Sequence, residues 1–336
     1  MPANAWSIPD HLAARLKEHP VTRSCRRRPR LFSDTSNFTG IDYGDVIHVG
    51  GRYFLVTGYT REGRFGVDEQ PKQWVPRCED LETGARQILK LVFYETFEVT
   101  VGQFKIPCFR NPEKEARILD LVRGHPHFMQ GYAAEDAAGN LVRILDVISG
   151  RRLDKHLHRF GGSHREYFDQ QVPALLSQFL ECTAAICLIH AQGLRHGDIR
   201  RDHLFVEYDT GIFRWIDFDY DFYLPERPFA LDIFELGNLL MYIVARGHFQ
   251  PRDVLAHPAM GERVLSALSL EDTSLLSKNR IVNLRKLYPY IPKELNDIFL
   301  HFSLGTSVFY DSAEEFYSDL QAAARILPAS AQPAPL

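Results

Sequence analysis

The stretch from Leu176 to Asp219 constrains this chain more than any other. Leu176, Phe179, Leu180, Thr183, Cys187 and His190 recur every three or four residues, which predicts one long helix with a buried stripe. The helix runs into His196-Gly197-Asp198-Ile199-Arg200-Arg201-Asp202-His203. A strand pattern, Trp215-Ile216, then leads into Asp217, Phe218 and Asp219. Charges set between apolar elements are expensive to bury unless they are paired or put to use.

The rest of the chain sorts into two halves. From Val46 to Val147 it reads as strands: Tyr53-Phe54-Leu55-Val56 and Gln87 to Phe93 are β-rich runs bounded by glycine-containing turns. Phe97, Val99 and Val101, then Phe104, Ile106 and Cys108, alternate around Gly102-Gln103 and predict a hairpin. One helix interrupts these strands, with Asn111 as N-cap, Pro112 in the first turn, and Ala116, Leu119 and Val122 at helical spacing. Leu141 to Ile148 closes this half. Beyond Ser149-Gly150 the pattern turns helical, with further helices over Leu231–Ala245, about Lys293–Ser303 and Ala313–Ile326. The expectation is an α+β, bilobal chain with a cleft at the join. Its parts are an N-terminal extension (1–41), an N-terminal antiparallel β lobe (42–148), a C-terminal helical lobe (149–327) and a disordered low-complexity tail (328–336).

A formal net charge of −4 gives no global reason to expect nucleic acid or an anionic membrane as partner. The basic run Arg26-Arg27-Arg28-Pro29-Arg30 reads as a solvated arm. Five scattered cysteines without a CxxC pair indicate neither a disulfide framework nor a zinc ribbon, and a reducing cytoplasmic compartment fits them. The first residues lack a signal-peptide core, and charges are expected to interrupt every apolar run, so no membrane span is expected.

Two more segments carry candidate chemistry. In Glu62-Gly63-Arg64-Phe65-Gly66, absent side chains allow backbone N–H groups to approach phosphate oxygens, although two glycines alone also make an ordinary turn. In Gln87-Ile88-Leu89-Lys90, a lysine sits within an apolar strand. Glu115 follows on the next helix, with Gly124-His125-Pro126-His127 behind it.

Taken in order over roughly residues 50 to 326, these segments resemble the protein kinase superfamily, in particular atypical bacterial serine/threonine kinases. The resemblance implies ATP as cofactor with Mg²⁺ or Mn²⁺, and a hydroxyl acceptor on a protein or a small molecule. It implies Asp198 as the base and Arg200 at the γ-phosphate. Lys90, paired with Glu115, would hold the α and β phosphates, and Gly63 and Gly66 would cover them. Backbone groups near Asp146 and Ile148 would meet the base. Asp217 would be a metal ligand, and Asp232 would cap the catalytic loop from the helix beyond.

The chain also departs from the family pattern. His203 stands where the family has the asparagine that holds a second metal, so the second ion is lost, or Mn²⁺ is favoured, or Asp219 substitutes as an oxygen ligand. Arg61 replaces the first loop glycine. Gly197 replaces the arginine that receives a phosphorylated activation loop, and the segment from Asp217 to Asp232 is short. Control by activation-loop phosphorylation is therefore not expected. His-Gly-Asp with Ile-Asp-Phe also resembles aminoglycoside phosphotransferases, which keeps a small-molecule kinase open. The departures together keep open a pseudokinase acting as a nucleotide- or partner-binding module.

Overall fold

The computed structural model describes residues 8–64, 67–101, 104–258, 260–277 and 279–327. Gly66, the hairpin tip Gly102-Gln103 and the tail from 328 onward lie outside them. The chain divides into two compact units, one formed by residues up to Glu95 with Arg110–His125 and Met129–Ile148, the other by Thr96–Phe109, Pro126–Phe128 and Ser149 onward.

The first unit is built on a seven-stranded sheet in the order β1-β2-β3-β4-β5-β9-β8. Its strands are β1 (Leu31–Phe32), β2 (Val46–Val49), β3 (Arg52–Arg64), β4 (Val67–Asp80), β5 (Arg86–Lys90), β8 (Gly131–Glu135) and β9 (Leu141–Asp146). β1 joins β2 in parallel, and the remaining pairs are antiparallel. Successive side chains on a strand face opposite ways, which gives this sheet two apolar surfaces. Ile47, Phe54, Val56, Leu89, Val142 and Ile144 fill one core cluster. Val46, Leu55 and Leu81 form another with Leu12 and Leu16 of helix α1 (Asp10–Glu18), which the short helix α2 (Pro20–Ser24) follows.

The described residues before 42 are thus built into this unit. The basic run is not simply a solvated arm: Arg27 and Arg30 both pair with the fully buried Asp45, Arg30 Nη2 at 2.6 Å from Asp45 Oδ2. Burial pushes the Asp45 carboxyl up, but the hydrogen bonds from Arg30 and Arg27 outweigh it and hold the group below its ordinary range.

Helix α3 (Pro112–Leu121) starts where its cap predicts, the Asn111 side chain accepting the Lys114 N–H at 2.9 Å. It buries Glu115, Ile118 and Leu119.

The second unit is mainly helical: α4 (Leu153–Leu157), α5 (His164–Gln170), α6 (Val172–His190), α7 (Ala230–Ala245), α8 (Pro251–Ala256), α9 (Gly261–Leu265), α10 (Leu284–Leu287), α11 (Lys293–Leu300) and α12 (Ala313–Ala324). α6 packs on α5, α7 and α12 and buries Leu176, Phe179, Cys182, Ile186 and Ile189. It overturns the expectation that charges interrupt every apolar run. Its 19 residues hold one acid, Glu181, and are long and apolar enough to cross a membrane. Half of the helix is buried inside the unit, as in the core helix of a folded domain. Gly237 of α7 sits against Phe302, whose ring would lie 2.4 Å from any Cβ there, so only glycine lets α7 lie this close.

Two small sheets complete the second unit. One is β10 (Gly150–Arg152), β11 (Leu204–Glu207) and β12 (Phe213–Trp215); the other is β13 (Tyr220–Phe222), β7 (Phe104–Arg110) and β6 (Thr96–Val101). The expected hairpin forms as β6–β7, with Phe97 opposite Cys108 and Val99 opposite Ile106. It does not group with the β lobe to which the sequence assigns it. Its residues up to Phe109 cluster with the helical unit, because its outer partner is β13.

Candidate functional site

In the first unit the strand pattern alternates across β5 and β9. Leu89, Val142 and Ile144 face the core, which turns Lys90 and Arg143 the other way. Register sets these two cations directly opposite one another. Like charges across a ladder repel, and Glu115 of α3 resolves the conflict. Lys90 Nζ lies 2.9 Å from Glu115 Oε1, and Arg143 Nε lies 3.1 Å from Glu115 Oε2. All three residues are buried. Arg143 also donates to the Leu141 carbonyl at 2.7 Å. The sequence reading singled out Lys90 and Glu115, which the structure brings together, and missed Arg143. The signal was available, since Arg143 is a cation inside an apolar run as Lys90 is.

Gly63 lies in β3 beside a register irregularity between Glu62 and Arg64. Asp146 ends β9 with an exposed side chain, its N–H spent on the Gln130 carbonyl at 2.9 Å. Ile148 is the last residue of the unit.

In the second unit, a capped loop presents the remaining candidates. Asp232, at the start of α7, accepts from the N–H groups of His196 at 2.7 Å and Gly197 at 2.8 Å, and lies 3.0 Å from His190 Nε2. Burial pushes its carboxyl up, but the His190 hydrogen bond, with the charges of His190 and His196 and the Gly197 N–H, outweighs this and holds it at about 2. Gly197 adopts φ +85°, a conformation glycine enters without Cβ strain.

The loop then brings Asp198, Arg200, His203 and Asp217 together. His203 Nδ1 donates to the Asp198 carbonyl at 2.9 Å and lies 3.3 Å from Asp198 Oδ2. Its Nε2 lies 3.4 Å from Asp217 Oδ2 and 3.2 Å from Arg200 Nη2. The imidazole therefore stands between the two carboxylates. With the hydrogen on Nδ1, Nε2 is left to accept from Arg200. Arg200 also pairs with Asp202 at 2.8 Å and approaches Asp198 Oδ1 at 3.7 Å.

Burial pushes the Asp198 carboxyl up; His203 and Arg200 pull it down, and Asp217 adds to the upward push. Asp217 holds φ +62°, a left-handed backbone uncommon outside glycine and enriched at functional sites. Asp219 is buried. Among the described residues no group of three or more His, Cys, Asp or Glu side chains is gathered to hold a metal ion. The geometry thus brings His203 and Asp217 together, and does not assemble them with Asp219 into a three-residue ligand set.

No family model matches the chain. Sperm motility kinase 2B of Mus musculus is 24% identical over 244 residues, 63% of this chain and 47% of that protein. CBL-interacting protein kinase 22 of Oryza sativa subsp. japonica is 29% identical over 156 residues, 43% of this chain and 32% of that protein. The chain thus spans less than half the length of these curated relatives. Among solved structures, the PknI kinase domain of Mycobacterium tuberculosis aligns over 85% of this chain and 99% of that domain, with 15% identity and a TM-score of 0.49.

Proposed function

We propose that the chain is a member of the protein kinase superfamily and an ATP-dependent phosphotransferase that moves the γ-phosphate to a hydroxyl acceptor, in the manner of a serine/threonine kinase, a reading that its similarity to two curated kinases supports. The observation that carries this reading is the buried Lys90–Glu115 pair at 2.9 Å. A buried ion pair seldom stabilises a fold more than apolar side chains of the same volume would. A lysine held rigid by a helix carboxylate is well suited to orienting phosphate oxygens.

In this reading Lys90 holds the nucleotide phosphates and Glu115 fixes Lys90. Asp198 takes the proton from the acceptor hydroxyl, and its upward-shifted carboxyl makes it a stronger base than an exposed aspartate. Arg200, on the same loop, offers a guanidinium to the transferring phosphoryl group. A divalent cation, when bound, neutralises charge on the phosphates. Asp217 would hold it, with His203 as the neighbouring donor. Mg²⁺ prefers oxygen alone, so this nitrogen–oxygen pair fits Mn²⁺ better.

The position of His203 also favours a second reading. An imidazole standing between Asp198 and Asp217 fills the space where the active-site chemistry would run, as expected of a pseudokinase. The test is ATP consumption and protein phosphorylation by the purified chain, with Mg²⁺ and separately with Mn²⁺, beside Asp217→Asn and Asp198→Asn. Turnover by the parent that is lost in both variants, and greater with Mn²⁺, is the expected result. No turnover with either metal gives the pseudokinase reading; full turnover in Asp198→Asn removes Asp198 as the base.

A further inference from the structure

The segment that follows Asp217 is held from two sides. On one side it forms strand β13, the hydrogen-bonded neighbour of β7. Tyr223 N–H donates to the Pro107 carbonyl at 3.0 Å. Phe222 is buried with Ile106 and Cys108, and Val99, Leu224 and Leu231 pack around them. The rings of Phe97 and Tyr220 meet edge to face at 5.3 Å. On the other side, Arg195 Nε lies 2.8 Å from Asp221 Oδ1, and both side chains are largely buried. The same guanidinium donates to the Pro228 carbonyl at 3.0 Å and lies 4.7 Å from the centre of the Phe222 ring. One arginine therefore grips the segment at three points. Arg195 directly precedes His196 and Gly197, whose N–H groups Asp232 holds. The grip is thus transmitted to the loop that carries Asp198.

We propose that Arg195 and Asp221 are positioning residues, whose ion pair, with the β6–β7 hairpin, locks the segment after Asp217 and the Asp198 loop in one permanent conformation. The Asp221 carboxylate supplies from the sequence the negative charge that a phosphate supplies where such a segment is switched, since an arginine binds either anion in the same way. The role in turnover rests on the phosphotransferase reading; the lock itself does not. Gly197 leaves no arginine within the His-Gly-Asp triplet, and Arg195 takes up an acid two positions earlier in the chain.

The experiment compares the full-length parent with Asp221→Asn, Asp221→Glu and Arg195→Lys. Amide hydrogen exchange over residues 218–229 reads the lock without need of activity. ATP turnover, before and after phosphatase treatment, reads its use. Exchange in Asp221→Asn is expected to speed up about tenfold, with kcat reduced by a similar factor and KM for ATP changed less than twofold. Asp221→Glu restores most of both. Arg195→Lys keeps the charge but loses the ring contact and the fork, so it falls between, and it serves if Asp221→Asn does not fold. Phosphatase leaves the parent unchanged. Parent-like exchange in both Asp221→Asn and Arg195→Lys overturns the proposal, as does a parent that loses turnover after phosphatase. A parent without turnover under any condition removes the phosphotransferase reading, and the exchange data then decide the lock alone.

Discussion

Asp198 has its proton affinity set by neighbours that pull in opposite directions. Burial raises it first, His203 and Arg200 lower it, and Asp217 raises it again. A base works only when deprotonated, so activity falls as pH falls through this raised value. The acid limb of the turnover profile should therefore lie above the ordinary aspartate range. Removing the Arg200 charge, as in Arg200→Gln, should move the limb further up, in addition to any loss of rate; a profile that moves down would contradict the assignment. At Glu115, two cations share one buried carboxylate. Lys90→Met leaves Glu115 still held by Arg143, so this variant should stay folded and lose activity far more than stability. Adding Arg143→Met strands a buried charge, and the double variant should lose about 3–5 kcal/mol in urea unfolding. Equal stabilities of the single and double variants would show that Arg143 does not support Glu115.

The elements differ in how plainly the sequence announces them, and the physical reason is how locally each is determined. The Asn111–Pro112 cap, the stripe of α6 and the alternation of the hairpin are patterns within a few residues, and each element forms where those patterns place it. The pairing of the hairpin with β13 was not legible. Tyr220-Asp221-Phe222 is too short for a period to show, and its partner lies more than 100 residues earlier. Candidate site residues were legible where a charge interrupts an apolar run, as at Lys90. Pairs that close only in three dimensions, such as Arg195 with Asp221 or the two arginines on Asp45, leave no local pattern. Asp232 carries a prediction at this level. Its carboxyl is lowered from 3.8 to about 2, so it stabilises the fold fully above its unfolded value and loses that contribution as pH falls from about 4 to about 2. Asp232→Ala should cost about 3–5 kcal/mol at neutral pH, because the loop N–H groups and His190 lose a buried partner. The stability difference from the parent should narrow in acid, and a gap that stays constant between pH 5 and 2 would contradict the shift.

At the scale of the molecule, each unit has a core of its own, and the described residues before 42 belong to the first. Leu12 and Leu16 cover Val46, Leu55 and Leu81, while Arg27 and Arg30 neutralise Asp45. Deleting residues 1–41 removes two buried leucines, each contributing about 1.5–3 kcal/mol. It also strips Asp45 of both guanidinium partners, a loss of up to about 3–5 kcal/mol to the extent that the carboxylate stays buried. The total approaches the whole stability of an ordinary domain, about 5–15 kcal/mol. These apolar and ionic contacts all lie within the first unit. The truncated chain should therefore lose the first unit's transition selectively. The tryptophans allow this to be read. The sequence has three, Trp6, Trp74 and Trp215, and the deletion removes Trp6. The Trp74 and Phe93 rings meet at a tilt, their centres 4.4 Å apart, in the first unit, and Trp215 is fully buried in the second, its Nε1 donating to the Cys182 carbonyl at 3.0 Å. Set against a Trp6→Phe parent, the truncated chain with Trp215→Phe should report an early or absent transition from Trp74. The truncated chain with Trp74→Phe should report an almost unchanged one from Trp215. If both reporters shift together, the two units unfold as one cooperative body and the segment stabilises both; if neither shifts, α1 and the Asp45 pairs contribute little, and the segment is dispensable to the fold.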